Sequence, residues 1–106
     1  MAEDKLLLSL HLYETDLTEI DSKMNKVVEY QNTYNIPAVI TEFGVSAEEE
    51  LSVRIAATQE MMNMYNSTGI PFIWWDNGKV DGYAIFDRTT GEVIRPQIVE
   101  ILFGSN

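Results

Sequence analysis

The chain has no cysteine, one histidine, three prolines, and only seven Lys and Arg against seventeen Asp and Glu in 106 residues. Without cysteine there is no disulfide framework, no thiolate zinc site and no thiol nucleophile, and His11 by itself cannot assemble a His-rich metal centre. No metal and no cofactor is expected. A net charge of −10 opposes approach to a phosphate backbone or an anionic lipid surface, so neither nucleic acid nor membrane is a favoured partner. No apolar run approaches the ~18 residues that a membrane span takes. Met1-Ala2-Glu3-Asp4-Lys5 is acidic and polar, where an export signal is basic and then apolar. The expectation is a soluble chain that carries no signal peptide. What is present, 45% hydrophobic and 23% charged residues, matches an ordinary folded domain, and the length fits one domain, residues 1–106.

Leu6 to Tyr13 is a short, nearly continuous apolar run, the pattern of a parallel strand buried on both faces. Asp16 then stands three residues before Glu19, a capping-box spacing, and Leu17, Ile20, Met24, Val27, Gln31 and Tyr34 follow at helical steps to about Asn35. Ile36-Pro37-Ala38-Val39-Ile40-Thr41-Glu42-Phe43-Gly44 repeats the strand pattern, with proline at the entry where no ladder donor is needed. Ser46 and Glu49 form a second capping box. Leu51, Ile55, Thr58, Met62 and Tyr65 give the second helix a face, and Asn66-Ser67-Thr68-Gly69 stops it. Ile70 to Trp75 reads as a third strand. Tyr83 to Ile94, around Asp87-Arg88-Thr89-Thr90-Gly91-Glu92, reads as a hairpin or irregular turn, and Pro96 opens a last helix with Ile98, Val99, Leu102 and Phe103 on one side. Strands alternating with helices of this length imply right-handed parallel crossovers, hence an α/β fold of three βα units. Three strands leave two open edges and little sheet for the helices to cover, as in a piece of a larger architecture.

In parallel α/β folds ligands meet the carboxyl ends of the strands. Those ends carry His11 and Tyr13, then Glu42, then Trp74, Trp75 and Asp76. A carboxylate, an imidazole, a phenol and an indole around one mouth suit a sugar: the rings stack on it and the glutamate can attack an anomeric carbon. Adjacent Trp74 and Trp75 point to opposite faces of a strand, so one lines the mouth and the other is core; Trp75 is taken for the mouth.

The strings Ser9-Leu10-His11-Leu12-Tyr13, Ile36 to Gly44 and Gly69 to Gly78 occur in the order and spacing of glycoside hydrolase family 5, and Phe86-Asp87-Arg88 with Pro96-Gln97-Ile98-Val99 fits that family's closing stretch. The chain thus resembles the last three βα units of a cellulase (β/α)₈ TIM barrel over nearly its whole length. The resemblance implies that Glu42 is the nucleophile of a retaining glycosidase, that His11 and Tyr13 are the His-x-Tyr pair of the sixth strand, with the tyrosine orienting the carboxylate, and that Trp75 is the eighth-strand sugar platform. It implies a β-glucan or oligosaccharide substrate and a secreted or cell-surface parent.

Two features depart from the family. Thr41 stands where glycine more often precedes Glu-Phe-Gly, and no residue matches the acid/base glutamate that follows an asparagine at strand four. Glu14 and Asp76 are carboxylates near the same mouth but do not fall on that motif. A full barrel takes about 250 residues, so activity is expected only with the missing N-terminal barrel portion. The alternative is a non-catalytic module whose open edges drive homo-oligomer formation or weak glycan binding.

Plainer readings stand beside these. His11 read alone is a strand-end histidine and Glu42 a solvated loop carboxylate. Met61, Met62 and Met64 are adaptable core filler or a methionine-rich binding surface, and Glu48-Glu49-Glu50 is a helix first turn favoured by the dipole. Asp76-Asn77-Gly78 with Asp81 lacks the ligand set of a calcium loop.

Overall fold

The computed structural model describes residues 8–76 and 82–104. Six elements follow one another: β1 (Leu8–Leu12), α1 (Leu17–Tyr34), β2 (Ala38–Phe43), α2 (Leu51–Thr68), β3 (Phe72–Trp74) and α3 (Pro96–Phe103). The three strands form one parallel sheet in the order β1-β2-β3. On one face α2 packs between α1 and α3. These are three consecutive βα units. No helix among the described residues is long and apolar enough to cross a membrane.

The core lies between the sheet and α1 and α2. Leu12 from β1, Ala38, Ile40 and Phe43 from β2, Ile20, Met24 and Val27 from α1, and Ala57 and Met61 from α2 are all buried there. Phe43 is fully enclosed, with the Phe72 ring 5.5 Å and the Trp74 ring 5.8 Å away, both edge-on.

Helix α1 starts as its spacing predicts, because the Asp16 carboxylate accepts the Glu19 backbone N–H at 3.1 Å. It ends on Asn35 in the left-handed conformation. The middle of its apolar face is buried, but Leu17 and Tyr34 at the two ends are exposed. Gln31 serves the next strand instead, since its side-chain oxygen accepts the Ala38 N–H at 2.9 Å and so fixes the entry of β2.

Helix α2 departs from expectation in two ways. Ser46 does not cap it. The Ser46 hydroxyl accepts the Glu48 N–H and its carbonyl accepts the Glu49 N–H, which closes a turn, and the helix begins only at Leu51, after Glu48-Glu49-Glu50. Its buried stripe is Ala57, Thr58 and Met61, rotated from the face inferred from Leu51, Ile55, Thr58, Met62 and Tyr65. A helix flanked on both sides loses the clean amphipathic signal, and small residues at the contact let it sit close to the sheet. Thr58 satisfies its buried hydroxyl by donating to the Arg54 carbonyl at 2.8 Å. Met61 is core and Met64 packs against it, whereas Met62 lines a surface groove with Tyr65, Phe72 and Phe103.

Strand β1 also differs, since only Leu8, Leu10 and Leu12 turn toward the helices, while Ser9 and His11 lie exposed on the other face. A continuous apolar run conceals an alternation when one intervening residue is a histidine and another a serine. The last unit is as expected: Phe86 pairs with Val93 in an antiparallel bridge, with Gly91 at φ 77° in the turn, and Pro96 stands in the first turn of α3. Within the Asp76-Asn77-Gly78 and Asp81 stretch, only Asp76 belongs to the described residues.

Phe43→Ala should destabilise the chain by about 3–5 kcal/mol in urea denaturation, whereas Leu17→Ala, at an exposed helix end, should change it by about 0.5 kcal/mol or less. Equal losses at the two positions would misplace the core.

Candidate active site

A slip in strand pairing sets up the site. Leu10 is opposite Ile40, but the next residue, His11, is opposite Glu42, and on the other side of β2 the pairs Ile40–Phe72 and Phe43–Trp74 show the same extra residue. In a regular strand Glu42 would share a face with Ala38 and Ile40, toward the helices. The extra residue reverses that parity. Phe43 returns to the core, and Glu42 turns to the open face beside His11. Thr41, also on that face, bonds the Ser9 hydroxyl at 2.9 Å and donates to the Leu10 carbonyl at 3.2 Å. The residue that departs from the family string thereby ties β1 to β2 at the slip.

Both Glu42 oxygens are engaged. Oε1 accepts the Tyr13 hydroxyl, and Oε2 lies 2.9 Å from His11 Nε2. The carboxylate is about one-quarter exposed and His11 more than half exposed, so the group is held but reachable. Burial first, and then the hydrogen bond to Glu42, push the Tyr13 phenol well above the ordinary tyrosine value. At neutral pH it is therefore a proton donor to the carboxylate.

Trp74 and Trp75 divide as adjacent strand residues should. The Trp74 ring meets Phe43 in the core and its indole N–H donates to the Tyr83 carbonyl at 2.9 Å. Trp75 is anchored by its backbone N–H to the Phe43 carbonyl at 2.7 Å and presents its ring edge-on to Tyr13 at 5.7 Å. His11, Tyr13, Glu42 and Trp75 thus meet at the carboxyl ends of three parallel strands.

The two further carboxylates singled out near this mouth, Glu14 and Asp76, are otherwise occupied. Glu14 is bonded to Lys23, whose ammonium holds its carboxyl below the usual range. Asp76 accepts the Ile85 N–H at 3.2 Å and faces Arg88 at 3.6 Å, bracing the turn before α3. Among the described residues no group of three or more His, Asp or Glu is placed to hold a metal ion.

Tyr83 was not singled out from the sequence, where it reads as the start of a hairpin strand. In the fold its ring stands 5.7 Å from Tyr13 and 5.1 Å from Trp75, edge-on to both. An aromatic beside Gly82 in an otherwise polar loop is the only local signal it gives.

Parallel strands backed by helices, with a hydrogen-bonded carboxylate and aromatic rings at the strand ends, define an α/β unit of the (β/α)₈ barrel class. The family description Cellulase (glycosyl hydrolase family 5) matches residues 2–81. The chain belongs to this family. Endoglucanase B of Neocallimastix patriciarum is 27% identical over 92% of the chain and 25% of its own length. A GH5-4 broad specificity endoglucanase from Clostridium acetobutylicum superposes with a TM-score of 0.80 at 26% identity, over 91% of this chain and 36% of that one. ZgEngAGH5_4, solved in complex with a cellotriose, is 31% identical with a TM-score of 0.67, over 81% of this chain and 25% of that one. The chain spans about a quarter to a third of the length of such relatives, and its fold corresponds to three βα units of their barrel.

Tyr13 yields a pH test. A phenol whose value is raised in the folded state contributes stability that is complete below the unfolded value of about 10 and is lost as pH rises above it. Tyr13→Phe cannot ionise, so its urea midpoint should fall less steeply than the wild type between pH 9 and 11.5. Parallel slopes would mean that Tyr13 is not held protonated by the fold.

Proposed function

We propose that Glu42 is the nucleophile of a retaining β-glucan-hydrolysing site, the chain supplying the nucleophile side of an endoglucanase-like barrel. The Glu42 carboxylate, one oxygen accepting the Tyr13 hydroxyl and the other 2.9 Å from His11 Nε2, carries this reading. One carboxylate oxygen keeps a lone pair for the anomeric carbon while the partners fix its direction. In the first step that oxygen forms a bond to the anomeric carbon, the glycosidic C–O bond breaks, and the leaving oxygen takes a proton from an acid partner. Water then hydrolyses the glycosyl ester. Trp75 forms the sugar platform, its ring partly exposed and its backbone anchored.

A retaining site needs a second carboxyl about 5–5.5 Å from the first. Glu14 and Asp76 are committed to Lys23 and to the Ile85–Arg88 turn, so the acid/base lies in upstream barrel units and the chain alone does not turn over substrate. The names of its relatives, and a cellotriose bound to one of them, support a β-1,4-glucan or its oligosaccharides as the substrate class. On this reading the parent enzyme acts on polysaccharide outside the cell.

Mixing the chain with the N-terminal five βα units of a related barrel and assaying a soluble β-glucan tests the proposal. Turnover should appear only in the mixture, and Glu42→Gln should lower it by at least ~10³-fold. Turnover that survives the substitution rejects the nucleophile.

Among the described residues β1 and β3 each have one unpaired edge, Ile73 is 57% exposed on the open sheet face, and Phe103 on α3 is 72% exposed. Such surface favours association with a second copy when the remaining units are absent. Sedimentation at low micromolar concentration should show a dimer or larger species, and a stable monomer counts against this reading.

A further inference from the structure

We propose that Tyr83 is a positioning residue: its ring, seated on Gly44, fixes the tilt of the Trp75 indole and of the Tyr13 phenol, whose hydroxyl bonds Glu42. This deepens the reading of Trp75 and Tyr13 as site residues and rests on it.

The three rings form a closed triangle. Tyr83 stands at 69° to Tyr13 and 63° to Trp75, and Tyr13 stands at 83° to Trp75, with every centroid separation between 5.1 and 5.7 Å. In such an edge-to-face trio each ring limits the tilt of the other two. The constraint matters most for Trp75, which lies just beyond the last residue of β3 and is 36% exposed. A platform that swivels must be ordered each time a sugar binds, whereas one already fixed does not.

Gly44 is the seat. A β-carbon there would lie 2.9 Å from Tyr83 Cδ1 and 3.3 Å from the Trp75 carbonyl oxygen. Gly44 is not among the positive-φ glycines, so the requirement is for space and not for backbone conformation. The clashing atom belongs to a rigid ring held by two others, so any side chain at 44 lifts the ring from its place.

The backbone at residues 82–85 is held by bonds that do not involve the ring. The Trp74 indole N–H donates to the Tyr83 carbonyl at 2.9 Å, the Ala47 N–H to the Gly82 carbonyl at 2.8 Å, and the Ile85 N–H to Asp76 at 3.2 Å. Removing the ring therefore leaves the loop its anchors.

The chain has two tryptophans, and their indole N–H groups report the two parts of the claim separately. Trp74 reports the loop, because its acceptor is a backbone carbonyl; Trp75 reports the platform. In ¹⁵N relaxation measurements on the whole chain, with Trp75→Phe to identify the resonances, Tyr83→Leu should lower the Trp75 indole order parameter from a rigid ~0.85 to below about 0.6. The Trp74 value should stay unchanged. Tyr83→Phe should retain both, and Gly44→Ala should reproduce the loss at Trp75. An ordered Trp75 indole in Tyr83→Leu overturns the proposal. Loss of order at both indoles overturns it as well, because the ring would then serve only to hold the loop. If Tyr83→Leu does not fold, Gly44→Ala decides by the same readout. No sugar enters the measurement, so a glucan assay that rejects Glu42 leaves this result standing, and a rigid Trp75 leaves the Glu42 reading standing.

Discussion

Between Ile40 and Phe43, β2 carries one residue more than either strand beside it, and the placement of core and site both depend on that excess. Side chains alternate along a strand, so an odd insertion exchanges the faces of everything beyond it. Here the exchange returns Phe43 to the rings of Phe72 and Trp74 and turns Glu42 to the open face. A carboxylate left toward the helices would sit unpaired among apolar side chains, at a cost of several kcal/mol. One slip in register thus resolves a conflict between an apolar core and a charged strand end.

The partners of Glu42 follow from the same geometry. Parallel pairing sets His11 directly opposite it, and Tyr13, two residues on, brings its hydroxyl to the other carboxylate oxygen. Thr41 and Ser9 tie the strands together at the slip through their hydroxyls. The phenol, kept protonated by burial and by its bond to Glu42, donates while the carboxylate accepts.

Around this centre the structure is uneven. The helix face of the sheet is covered by α1 and α2 and holds the large buried side chains, whereas the opposite face leaves Ser9, His11 and Ile73 exposed. In a closed barrel that face is filled by layers of side chains from all the strands. Three strands offer only their own share of such a layer. The site residues sit at its rim, held by strand ends and loop anchors more than by depth of burial.

Much of this was legible in the residues. The three strands, the Asp16 cap on α1, the ends of the first two helices at Asn35 and Gly69, and the convergence of His11, Tyr13, Glu42 and Trp75 at the strand ends follow from periodicity, from capping chemistry and from the rule for parallel sheets. These are local properties, set by residues within a few positions of one another. The failures share one cause. The late start and rotated face of α2, the one-sided burial of β1, the slip at Thr41 and the seat of Tyr83 on Gly44 depend on what packs from distant parts of the chain. A serine three residues before a glutamate caps a helix or closes a turn according to where the neighbouring helices leave room. The sequence by itself determined which side chains are available at each strand end; only the tertiary structure decided which face each one reached, because pairing parity and ring-against-glycine contacts arise between strands and loops that are far apart along the chain.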